Sequence, residues 1–90
     1  MYSRLVSRNV TVSGHRTSLR LEQASWDALD DICRNEGVSM HDLCTMIETT
    51  RKGSSRTSTV RAFIVTYIRT MSVGTSQGES LSQLISRLAA

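Results

Sequence analysis

The sequence predicts a mainly α fold: one short N-terminal strand followed by three to four helices. Three observations carry this. Thr17 to Leu21 alternates, with Thr17, Leu19 and Leu21 on one side and Ser18 and Arg20 on the other. After Glu22 the apolar spacing changes to the 3–4 period of a helix, through Trp26, Leu29, Ile32 and Cys33. Two further segments, and a short one at the C-terminus, repeat that helical period.

Residues 1–9 carry Arg4 and Arg8 and no sustained apolar pattern, so they read as a flexible basic arm. Asn9 to Ser13 alternates as well. It reads as a second short strand or as an extension of the first, with Ser13-Gly14 a turn or bulge between the two. The main strand covers about 16–21. The first helix covers 23–35, with Asp27, Asp30, Asp31 and Arg34 facing outward and Gly37 as a left-handed cap.

The second helix covers 39–50. Ser39 and Asp42 form a capping-box-like pair, Val38 and Leu43 are placed as a hydrophobic staple, and Met40, Leu43, Cys44 and Ile47 form the stripe. The third helix covers 57–71. Val60, Phe63, Ile64, Tyr67 and Ile68 keep helical spacing, and Ser55, Thr57 or Ser58 caps the start. Its many β-branched residues make a strand the alternative; length and the lack of polar alternation favour helix. Residues 10–71 thus form the domain and 72–78 a linker. Residues 79–90 form a short amphipathic helix, with a Ser76–Glu79 capping box and a stripe of Leu81, Leu84, Ile85 and Leu88.

A chain of 90 residues buries a marginal core. Cys33 and Cys44 lie in helical apolar stripes and read as reduced core residues; a disulfide is the alternative. Cysteine and histidine spacing fits no metal site, which leaves oligomerisation as the source of extra burial. No signal peptide or membrane span is legible, so a cytoplasmic protein is expected.

No catalytic constellation is present. His15 and His41 have no triad partners in the pattern, His41 reads as a solvated first-turn residue, and no glycine-rich phosphate loop occurs. The chain is expected to be no enzyme and to need no cofactor. The charge pattern is more informative. Residues 1–21 hold four arginines and no acid, residues 22–48 hold seven acids against Arg34, and the remainder is basic again. Ten of the eleven basic residues are arginine, the side chain suited to phosphate and guanine.

The order of short basic strand, helix, Gly-x-Ser turn and helix, carried by TSLRLEQASWDAL, GVSMHDL and SSRTSTVRAFIVTYIR, resembles the ribbon-helix-helix family of DNA-binding proteins. It looks like a bacterial variant with an additional helix. The resemblance implies an intertwined homodimer in which one strand from each subunit pairs antiparallel and enters the major groove. It implies base reading by Arg16, Ser18 and Arg20, with a dimer core of Leu19, Leu21, Trp26, Leu29, Ile32, Phe63, Ile64 and Tyr67. Phosphate would be held by Ser55, Arg56, Thr57 and Ser58, with Arg4 and Arg8 adding contacts from the arm.

Two helix starts compete for that phosphate role, Gly37-Val38-Ser39 and Ser54 to Arg61. Electrostatics favours the second, because Asp42 and Glu48 near the first repel phosphate. Residues 36–53 then form an inserted helix. The expected partners are double-stranded DNA and a second copy, alone or in higher-order assembly on DNA, with no membrane. The resulting expectation is a dimeric transcriptional regulator, a repressor or autoregulator. The alternative is a homodimeric adaptor or antitoxin-like protein whose segment 79–90 binds a partner protein.

Overall fold

The structure, a computed structural model, describes residues 4–73 and 80–89. Its elements run β1 (Leu5–Val12), β2 (His15–Glu22), α1 (Gln23–Glu36), α2 (Met40–Glu48), α3 (Arg56–Val73) and α4 (Leu81–Ala89). A two-stranded antiparallel sheet packs its inner face on the helices, and the mainly α fold class stands.

Within the chain the expected strand already has one partner, the second short strand that the alternation of Asn9 to Ser13 allowed. β2 pairs with β1 of the same chain, with Val6 opposite Leu21, Val10 opposite Thr17 and Val12 opposite His15. Ser13 and Gly14 connect them with φ of 51° and 85°. Two consecutive positive φ values mark a type I′ turn, whose twist matches that of the flanking strands. A two-residue connection makes this local pairing entropically cheap.

The expected arm is revised, because Leu5 to Asn9 lie in β1. By alternation Val6, Arg8, Val10 and Val12 point toward the helices. Val10 and Val12 are buried, while the Arg8 guanidinium lies 4.7 Å from the centroid of the Trp26 ring and 3.6 Å from Asp30. An arginine stem with its head on an aromatic face thus fills a position where an apolar residue is expected.

α1 begins directly after β2 and ends at Gly37, whose φ of 69° lets its N–H reach the Cys33 carbonyl. α2 begins with Ser39 accepting from the Asp42 N–H at 3.0 Å. It ends at Glu48, where the Thr49 and Thr50 hydroxyls donate back to the Met46 and Ile47 carbonyls. Residues 56–73 are helical, which disposes of the strand alternative. Their start is capped by Ser55, which accepts from the Ser58 N–H at 3.1 Å. Ser80 and Gln83 cap α4 reciprocally, with bonds of 2.8 and 3.2 Å. The expected Ser76–Glu79 box and most of the 72–78 linker lie outside the described residues.

The core joins β1 and β2 to all four helices. Trp26, Leu29, Leu43, Phe63 and Leu84 are among its most buried members. The eight residues expected in a dimer core are all buried within this one chain. Both cysteines are free; Cys44 is buried, and that burial pushes its thiol up to about 11. Tyr67 donates its hydroxyl to Glu36 at 2.5 Å, and burial followed by that carboxylate raises it to about 12. Val65, Ile68 and Met71 of α3 remain exposed. Beside them, Ala28, Ile32 and Tyr67 help line an open groove of about 310 Å³ between α1 and α3.

Candidate nucleic-acid interface

The outer face of the hairpin follows from its register. Residues that alternate away from the core are Ser7, Asn9 and Thr11 on β1, opposite Arg20, Ser18 and Arg16 on β2. Arg16, Ser18, Arg20, Ser7 and Asn9 are exposed. The hydroxyls of Ser7 and Ser18 bond across the strands at 2.8 Å. Glu22 ends this face, and its carboxylate is held by Arg61 at 2.6 and 3.1 Å. That pairing keeps Glu22 below the usual carboxylate range. The rest of the face is acid-free, and its arginines have no competing carboxylate nearby on the ribbon.

The two edges of the hairpin are unlike. On β1, the Thr11 N–H donates to His41 Nδ1 at 2.9 Å and the Ser13 N–H donates to Thr45 Oγ1 at 3.0 Å. α2 therefore covers the turn end of that edge, and His41, exposed in the first turn of α2 as expected, also holds the strand. In a two-residue hairpin the pairs flanking the turn are hydrogen-bonded and every second residue points its backbone outward. On β2 the outward-pointing residues are Arg16, Ser18 and Arg20. Among the described residues no group bonds to that edge.

The two helix starts are now distinguishable. The N-terminus of α2 lies against β1. The N-terminus of α3 lies against β2, where Arg56 donates to Thr17 Oγ1 at 3.4 Å. His15, Arg16, Thr17, Glu48 and Arg56 contribute to an open polar cleft of about 340 Å³ beside the hairpin tip. Glu48 belongs to α2 in sequence but reaches this second start, because the 49–55 connection folds the end of α2 back on the beginning of α3. It accepts from Arg56 at 2.8 Å and from Arg51 at 3.2 Å. The Arg56 bond is the main reason its carboxyl is held low, and the same bond raises Arg56.

Of the expected contacts, Arg16, Ser18 and Arg20 share one exposed face. Ser55 caps α3 and Arg56, Thr57 and Ser58 lie in its first turn, with Ser58 bonded to Ser55 through both its N–H and its hydroxyl and Arg56 engaged with Glu48. Arg4 is exposed just ahead of β1. Arg8 instead lies on the inner side of the sheet, on Trp26 and Asp30. The positions missed by sequence reasoning are Ser7, Asn9 and Thr11. Their signal was the alternation that begins before Val10.

A family model described as a ribbon-helix-helix domain matches residues 5–68. The chain belongs to the ribbon-helix-helix family. Ribbon-helix-helix domains generally bind DNA as transcription regulators, are typically dimeric and are typically non-enzymatic. No curated protein and no solved structure matches the chain significantly. Among the described residues no cluster of His, Cys, Asp and Glu could hold a metal ion, and no helix is long and apolar enough to cross a membrane.

Proposed function

We propose that this ribbon-helix-helix chain is a sequence-specific regulator of transcription, a repressor or autoregulator. It acts as a homodimer on double-stranded DNA in a bacterial cytoplasm. The observation that carries this reading is the acid-free outer face of β2, with Arg16, Ser18 and Arg20 exposed beside an open strand edge. Antiparallel pairing of two β2 edges about a twofold axis near Ser18 satisfies that edge. It makes a two-stranded ribbon of a width that the major groove admits. Arginine reads guanine bidentately, and serine tolerates either partner.

The exposed Val65, Ile68 and Met71, with the groove between α1 and α3, supply the apolar surface that a second copy covers. The first turn of α3, adjacent to β2, supplies backbone N–H groups and Thr57 and Ser58 for phosphate. Arg56 joins them when Glu48 releases it, and Arg4 adds a contact ahead of β1. Burial of Leu81 and Leu84 against the body supports a structural role for α4 over capture of a partner protein.

Selection from a pool of random duplexes at varied salt tests the proposal. Recovery of a short inverted or repeated motif is expected, with affinity falling by about 0.9 decades per decade of salt for each phosphate neutralised. Absence of binding at low salt overturns it.

A further inference from the structure

Covering the turn end of one edge of the hairpin and leaving the other edge open determines where the outer strand lies on DNA. We propose that β1 is a rim strand: Ser7, Asn9 and Thr11 bind the sugar-phosphate backbone at the walls of the groove whose floor β2 reads. The inference rests on the DNA-binding dimer proposed above and adds a second contact surface to it.

α2 engages the turn end of the β1 edge through His41 and Thr45, whereas the β2 edge is open along Arg16, Ser18 and Arg20, so a second copy joins at β2. The shared sheet then has the order β1-β2-β2-β1, the inner two strands coming from different subunits. Neighbouring strands lie about 4.8 Å apart, which separates the two β1 axes by about 14 Å. The major groove is about 12 Å wide. The inner pair fits over the base edges, while each β1 falls over a wall, where phosphates stand.

The chemistry of the strand agrees with that position. Ser7, Asn9 and Thr11 share the outer face with Arg20, Ser18 and Arg16. Hydroxyls and a carboxamide are neutral donors to phosphate oxygens, and such contacts fix register without reading sequence. No carboxylate of β1 faces the duplex, since the strand LVSRNVTV contains none.

Two variants test this on the full chain. Asn9→Ala combined with Thr11→Val removes side-chain donors while keeping the Ser7–Ser18 bond, and is expected to weaken binding roughly tenfold, equally on the selected and on an unrelated duplex, leaving the motif intact. Asn9→Lys adds a cation facing the wall. Its salt dependence is expected to steepen by about 1.8 per dimer, again with the wild-type motif. Arg20→Ala is the comparison, losing affinity on the selected duplex and changing the motif. Unaltered binding and salt slope in both variants, beside a wild type that selects a motif, places β1 off the DNA and overturns the inference alone. A motif altered at flanking positions makes β1 a base reader and overturns it as well. A wild type that binds no duplex overturns the DNA reading itself.

Discussion

Trp26 donates its indole N–H to the backbone carbonyl of Val6 at 2.9 Å. The bond ties the first turn of α1 to a strand that begins only one residue before Val6, and Arg8 covers the same ring. Deleting residues 1–9 therefore removes a structural strand. The buried indole loses its acceptor and the Val6 side chain leaves the core, at a cost of about 3 kcal/mol. Urea unfolding followed by Trp26 fluorescence measures this. An unchanged midpoint would restore the flexible-arm reading.

Arg20→Ala is expected to cost about 1–3 kcal/mol on the cognate site and to relax preference at one base pair. Titration of the cognate duplex beside one mutated at each position reads both effects. Equal loss on every sequence would reduce Arg20 to a phosphate contact.

Glu48 pairs with Arg56, one of the proposed phosphate contacts, at 2.8 Å. Its folded pKa is depressed below its ordinary 4.5, chiefly by Arg56, so its contribution is fully present above about pH 4.5 and disappears as pH falls through the folded value. Glu22, held low by Arg61, adds a dependence of the same sign. Glu48→Gln should lower the melting temperature at neutral pH and shrink its fall below pH 4.5. It should also free Arg56, tightening DNA binding and steepening its salt dependence. Thermal melts from pH 3 to 7, paired with binding at two salt concentrations, separate the effects.

Leu84, on α4, is 1% exposed. Leu84→Ala is expected to cost about 2–5 kcal/mol while leaving DNA affinity unchanged at temperatures where the domain is folded. A differential scanning melt without a shift would mean that the helix serves a partner and not the body.

The helices were legible because each combines a periodic stripe with a local stop signal. Gly37 closes α1, Ser39 opens α2 and Ser55 opens α3, as their spacing implies. β1 was legible only in its second half. Arg8 stands at an inward position where period-two alternation calls for an apolar residue, and only the folded Trp26 ring explains it. His41 was hidden for a related reason: its partner is a backbone N–H thirty residues away, which no local pattern encodes. The position of Glu48 beside Arg56 likewise depends on how the 49–55 connection turns. The arginine-bearing face of β2 was readable from alternation and charge alone, but the second half of that face, on β1, required the hairpin register.

The unequal edges of the hairpin also bear on solubility. Open strand edges are templates for runaway association, and a chain with two of them can extend a sheet without limit. Here His41 and Thr45 engage the turn end of one, so β2 is the longer open edge. A twofold pairing consumes both β2 edges at once and leaves only the partly covered β1 edges to recruit a third chain. Loosening α2 from β1, as His41→Ala combined with Thr45→Ala would, should turn a self-limiting particle into a polymerising one, visible as rising light scatter with concentration.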